Sequence, residues 1–234
     1  MNQTHQVIET SDGSRTLFCN RSQQSFHSIH GAYTESRHVF LDGCQLEHLF
    51  QVQPAVSILE IGFGTGLNWL LTASLALRYP TNLVYTGLDR EIPPSHYLSE
   101  LSYQKHIDTP HLAESLLDWR KKFPVSVPCG SYKLPFHPKS ILELRIDDIV
   151  QIDLPPHHYD RIYLDAFAPT VNPHLWEPIF IQTLYDSLQS GGILATYSCA
   201  GHVQRSLTAS GFMVTRRPGP PGKRAVLSAQ KDVQ

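Results

Sequence analysis

The chain has 234 residues, of which 41% are hydrophobic and 17% charged, with a formal net charge of −2. This is the composition of a soluble globular chain with one sizeable core, and the charge balance argues against a generally basic nucleic-acid binder. The polar N-terminus lacks the apolar stretch of a signal peptide and no apolar run approaches the ~18 to 20 residues of a membrane helix, so a cytoplasmic protein without a membrane partner is expected. In chain order, residues 5–19 read as a hairpin turning at Asp12-Gly13, and residues 36–50 as helical segments interrupted near Asp42-Gly43. Residues 1–54 are thus expected to form an N-terminal appendage. From Ala55 the pattern becomes strand–helix alternation, and residues 55–234 read as one domain. Strands are expected at 55–62, 83–89, 141–147, 160–167 and 192–198, with short ones near 212–216 and 225–229. Helices are expected at 66–78, within 95–123, at 173–189 and at 202–210. The helix at 173–189 begins at Asn172-Pro173 and would bury Trp176, Ile179, Phe180, Leu184 and Leu188 on one face. Repeated βα units imply an α/β fold with a doubly wound, mostly parallel sheet.

In such a sheet, ligands sit beyond the carboxyl ends of the strands where strand order reverses. The first strand of the alternation ends in "LEIGFGTGLNW", in which Glu60, Gly62, Gly64 and Gly66 are spaced by two, and Asp89 ends the next strand. A lone glycine pair is more often a tight turn than a site. Glycines followed by a strand-end carboxylate, which accepts from both ribose hydroxyls, point instead to an adenosine-type ligand. The dinucleotide fingerprint needs a further glycine where Leu67 stands, so NAD does not fit. Asp165 follows the apolar "IYL" and precedes Phe167, and a carboxylate in such a place is costly unless hydrogen-bonded or functional.

"RRPGPPGKR", residues 216–224, gathers Arg216, Arg217, Lys223 and Arg224 without an acid, which reads equally as a solvated loop or as a grip on phosphates. Cys19, Cys44, Cys129 and Cys199 form no C-x-x-C pair, which fits a reducing compartment. None of the thirteen histidines falls in a compact ligand set, so no metal is expected.

The glycine spacing resembles the class I S-adenosylmethionine-dependent methyltransferases, a Rossmann-like superfamily in which this loop passes under the methionine part of the cofactor. Glu60 would then hold the cofactor's ammonium, directly or through water. More specifically, "TESRHVFLDGCQLE", "GFGTGLNWL", "DAFAPTVNPHLW", "GGILATYSCAGHVQRSL" and "GKRAVL" resemble, over about residues 25–229, the methyltransferase part of the MnmC family. That resemblance implies N-methylation of 5-aminomethyl-(2-thio)uridine at the tRNA wobble position, with S-adenosylmethionine as cofactor and tRNA as partner. The chain stops where the family's FAD-dependent oxidase would begin, which resembles the stand-alone, MnmD-like form.

Carried over by position, the resemblance puts the cofactor loop on Gly62, Gly64, Thr65 and Gly66, and the ribose acid on Asp89. The adenine-side acid falls on Asp148, with Asp147 in the family's glycine position, so either of the pair remains open here. Asp165 becomes the catalytic group beside donor and acceptor. Phe167 would wall off water or stack on the uracil, as would Tyr197 or Trp176. Glu35 and Arg37 match an acid and an arginine near the substrate entrance, or form a structural ion pair. The family's frequent lysine before Asn172-Pro173 is Val171 in this chain. Two other readings share these features: a small-amine methyltransferase or aminopropyltransferase of the polyamine type, and a non-catalytic tRNA-binding protein.

Overall fold

The computed structural model describes residues 4–233. Strands β1 (His5–Glu9), β2 (Arg15–Cys19) and β3 (Gln24–Ser25) form a small antiparallel sheet, with the first turn at Asp12-Gly13 as the sequence predicts. Helix α1 (Ala32–Ser36) runs into a π-helical turn at Arg37–Leu41, and α2 (Leu46–Val52) follows the interruption at residues 42–45. The alternating part contains β4 (Ala55–Ile61), α3 (Leu67–Ala76), β5 (Asn82–Asp89), α4 (Ser95–Leu101), α5 (Pro110–Lys121), β6 (Gly130–His137) and β7 (Ser140–Ile146). It continues with β8 (Tyr159–Leu164), α6 (Pro178–Ser187), β9 (Leu188–Thr196), α7 (Gly201–Ala209), β10 (Met213–Pro218) and β11 (Ala225–Gln230).

The large sheet has the order β10-β11-β9-β8-β4-β5-β7-β6. Its five central strands, β9 to β7, are parallel, while β6, β10 and β11 pair antiparallel at the margins. From β4 the chain winds outward through β5 to β7, then returns to lay β8 on the other side of β4. Strand order therefore reverses between β4 and β8, which fixes the ligand crevice at their carboxyl ends. Central strands are buried on both faces: Ile58 and Tyr85 belong to one hydrophobic cluster, Leu59, Ile61 and Leu88 to the other. The first cluster also takes in Leu17, Ala32, Phe40, Leu46 and Phe50, so residues before and after position 54 share one core.

Two expectations about elements change. The helix expected at 173–189 is a 3₁₀ turn at Pro173–Trp176 and then α6, broken at Glu177, whose extended backbone (φ −75°, ψ 152°) is what the following Pro178 imposes. Ile179 consequently points outward, 82% exposed, while Ile181 takes a buried place and Leu188 already belongs to β9. Strand β6 was not expected: it lies at the sheet edge, its side chains are exposed or half-buried, and it contains Pro135, which only an edge strand tolerates.

Candidate active site

At the end of β4 the chain turns sharply, and the backbone N–H of Gly62 donates to Leu88 O at 2.9 Å. Gly62 has φ +89°, and a Cβ there would come within 2.7 Å of Asp165 O, so glycine is required by both conformation and the close approach of the β8 end. The N–H of Gly64 donates to Asp89 Oδ2 at 2.7 Å, which ties the loop to the end of β5. Asp89 Oδ1 accepts from the N–H groups of Arg90 and Glu91. Burial raises the Asp89 carboxyl, opposed by these three backbone donors. Gly66, at φ +81°, starts α3.

These ends open into a cavity of about 1480 Å³. Its walls are residues 62–65, Asp89–Glu91, Asp148–Gln151, Asp165–Ala168, Tyr197 and Lys223, and the small sheet with its following loop (residues 18–30) closes one side. Gly62, Gly64, Thr65, Asp89, Asp148, Asp165, Phe167, Glu35 and Lys223 all line it. Thr65 Oγ1 is bonded to Tyr103 OH at 2.9 Å. Of the adjacent acids, Asp148 lines the cavity, whereas exposed Asp147 does not and uses Oδ1 to accept the N–H of Asp148. Phe167 stands edge-on to Phe26, and its carbonyl accepts from Trp176 Nε1 at 3.1 Å. Tyr197 OH donates to Ala166 O at 2.8 Å.

Other expected residues sit differently. Glu60 is fully buried and does not line the cavity; Oε1 accepts from Asn68 Nδ2 at 2.7 Å and Oε2 from Tyr85 OH at 2.8 Å. Both oxygens accept from within the core, and the side chain is buried behind the cavity wall. Burial pushes Glu60 up to about 8, although both donors favour its ionised form. Glu35 pairs with Lys223 Nζ at 2.5 Å and accepts the Ser28 N–H at 2.6 Å, rather than meeting Arg37. Arg37 lines a separate cavity of about 180 Å³ with Tyr33, Arg78 and Asp108, because residues two apart on a helix do not share a face.

The basic segment is divided in the same way. Arg217 Nη1 donates to His38 O, and Arg216, its neighbour on β10, is exposed on the opposite face. Arg224 is exposed outside the cavity wall, and Lys223 Nζ lies 4.1 Å above the Tyr197 ring.

Two further residues belong to this arrangement without being expected. Asn68 donates to both Glu60 Oε1 and Asp165 Oδ2, each at 2.7 Å. As the one polar residue in "LNWLL", it is a visible anomaly at the start of an apolar helix. His27 lines the cavity, bonded through Nδ1 to Thr16 Oγ1 at 2.9 Å, and burial pushes it down to about 4, so its imidazole is neutral. Among the described residues no three His, Cys, Asp or Glu side chains come together as a metal site. No helix there is long and apolar enough to cross a membrane.

A glycine loop bonded to a strand-end carboxylate that opens on a large crevice fits an adenosine-bearing cofactor. Among known proteins, the chain is 34% identical over 215 residues to the tRNA 5-methylaminomethyl-2-thiouridine biosynthesis bifunctional protein MnmC of Ralstonia nicotianae, covering 89% of this chain and 32% of that protein. It is 31% identical over 211 residues to the same-named protein of Thiobacillus denitrificans, covering 88% and 33%. The chain therefore spans about a third of the length of these curated relatives. Its fold superposes with a TM-score of 0.78 on the crystal structure of MNMC2 from Aquifex aeolicus, at 21% identity over 100% of this chain and 72% of that one. Spermidine synthase from Thermotoga maritima shares the fold at a TM-score of 0.56 and 14% identity, over 98% of this chain and 70% of that one. The sequence profile that matches residues 111–232 carries the description S-adenosyl-L-methionine-dependent methyltransferase and agrees with the crevice in cofactor and fold, so the chain belongs to that family.

Proposed function

We propose that this chain transfers a methyl group to the aminomethyl nitrogen of 5-aminomethyl-(2-thio)uridine at the wobble position of tRNA, working in the cytoplasm. The observation that carries this reading is the likeness to MnmC, at 31–34% identity, along nearly nine tenths of the chain. The site geometry supports it with an acid at the reversal point of the sheet, facing a cavity of about 1480 Å³, enough for a cofactor and a nucleoside together.

In this reading Gly62, Gly64 and Thr65 hold the methionine part of S-adenosylmethionine, with Gly66 behind them at the start of α3 and off the cavity wall, Asp89 holds the ribose and Asp148 the adenine amino group. Once bound, that cofactor supplies an electrophilic methyl group on a sulfonium. Only a neutral amine has the lone pair to accept it, so the chain must align donor and acceptor within ~3 to 3.5 Å and deal with the released proton. Asp165 accepts an amine N–H, directs the lone pair and takes up the proton. Burial and the Glu60 and Glu35 carboxylates push Asp165 well above the usual carboxylate range, which suits a proton acceptor. Phe167 offers a face for the uracil, and the exposed Arg216 and Arg224 are the cations free to meet phosphates.

The test is nucleoside mass spectrometry after incubating the protein with labelled S-adenosylmethionine and tRNA carrying aminomethyluridine. Label in 5-methylaminomethyl-(2-thio)uridine is expected. Label on a free polyamine, with none in tRNA, would overturn the proposal in favour of a small-amine enzyme.

A further inference from the structure

We infer that Asn68 is a positioning residue for methyl transfer, whose side-chain amide anchors on Glu60 and fixes which oxygen of Asp165 is left for the acceptor amine. Asn68 is 2% exposed, in the first turn of α3, and its Nδ2 spends one hydrogen on Glu60 Oε1 and the other on Asp165 Oδ2. Both bonds are 2.7 Å and both acceptors are carboxyl oxygens, which hold an amide hydrogen most strongly when ionised. Glu60 cannot swing away, because Tyr85 OH holds its other oxygen. The amide is therefore clamped between a fully buried acid and one that lines the cavity.

With Oδ2 engaged, Asp165 presents Oδ1 to the acceptor in one orientation. An unanchored carboxylate would rotate between both oxygens, repelled by some charged neighbours and drawn by another. Those neighbours are Glu60 on β4, Glu35 on α1, Lys223 in the turn before β11, and Tyr197 after β9. Glu60 and Glu35 disfavour the ionised form of Asp165, while Asn68 and Lys223 favour it. Loss of the amide removes one of these two supports, so Asp165 holds its proton to higher pH and the active, ionised form appears later in a titration.

The inference rests on the reading of Asp165 as the group that receives the amine, and its test separates the two. Wild type, Asn68→Ala and the double variant Glu60→Gln/Asn68→Ala are compared in single-turnover methylation of aminomethyluridine tRNA across pH. Cofactor binding is followed by calorimetry, and the Asp165 carboxyl by carbon NMR in the free protein. In Asn68→Ala the rate should fall by about 10- to 100-fold, the size expected for a lost hydrogen bond to a charged group. The acid limb of the rate and the Asp165 titration should both move upward by about one pH unit, as a bond of that strength implies. Cofactor affinity should change by less than about threefold, within the spread of a neutral substitution. The double variant removes the buried carboxylate that the missing amide leaves with Tyr85 as its remaining donor, so it decides the matter if the single variant does not fold. A wild-type rate and unmoved titration would overturn the role of Asn68, as would equal losses in rate and cofactor binding. A wild type inactive on tRNA, with the titration shifted in the variant, would overturn the functional reading alone.

Discussion

Asp89 and Asp165 line the same crevice, and the proposed function gives them different work that single substitutions should separate. Asp89 already accepts three backbone N–H groups of the loop and the β5 end, leaving its remaining acceptor capacity for ribose hydroxyls. Asp89→Ala is expected to weaken S-adenosylmethionine binding by ~1 to 3 kcal/mol, read by calorimetry. Asp165→Asn keeps the shape but loses the charge that orients an amine and takes its proton, so single-turnover rate should drop far more than cofactor affinity. Equal effects of the two substitutions on affinity would remove the distinction. Glu60 stands behind Asn68 and off the cavity wall, bonded to the amide that also holds Asp165.

At the scale of elements, the segment from β10 to β11 decides what its cations can do. Antiparallel pairing of β11 with β9 brings the turn to the carboxyl edge of the sheet, beside the cavity. The strand then sends Arg216 and Arg217 to opposite faces, and the turn aims Lys223 inward at Glu35. Of the four cations, Arg217 and Lys223 make inward contacts and Arg216 and Arg224 stand outward. Replacing Arg216 and Arg224 by alanine should raise the apparent KM for tRNA and flatten its salt dependence, by about one counterion per lost phosphate contact. Lys223→Ala should instead lower turnover and leave the salt slope unchanged. A salt slope that falls with Lys223→Ala but not with the arginines would reverse this assignment.

The whole molecule carries buried ionisable groups that make its stability depend on pH in a definite direction. Glu60 rises from 4.5 to about 8 on folding, so the native state binds more protons than the unfolded chain between these values, and stability falls as pH rises through them. His27 falls from 6.5 to about 4, so the native state binds fewer protons there, and stability is lost as pH falls from 6.5. The two slopes oppose one another between 4.5 and 6.5, and only the Glu60 loss continues above. Asp165 is coupled to Glu60 and shifts the same way, so the pair titrates jointly. Denaturant unfolding should show a decline from pH 6.5 to 8, of at most ~1.4 kcal/mol per pH unit for each proton, reduced in Glu60→Gln. Stability rising over that range would contradict the upward shift of Glu60 on burial.

The sequence alone determined the βα alternation, the parallel sheet and the loop at the end of its first strand, because these rest on local signals: apolar runs, glycine spacing and strand-end acids. It also placed Asp89 at the end of β5 and Asp165 directly after β8. Tertiary structure decided what periodicity cannot encode. The edge strand β6 lacks an apolar signature because neither face is fully covered. The break at Glu177 comes from Pro178, which overrides the apolar spacing. Arg37 left the site through a two-residue step on a helix, and Glu35 met Lys223, 188 positions away, only because the sheet's last hairpin returns over α1. Asn68 reads as one polar residue in an apolar helix; its two carboxylate partners come from β4 and from the end of β8, 97 residues later, and only the reversal of strand order brings both to one amide.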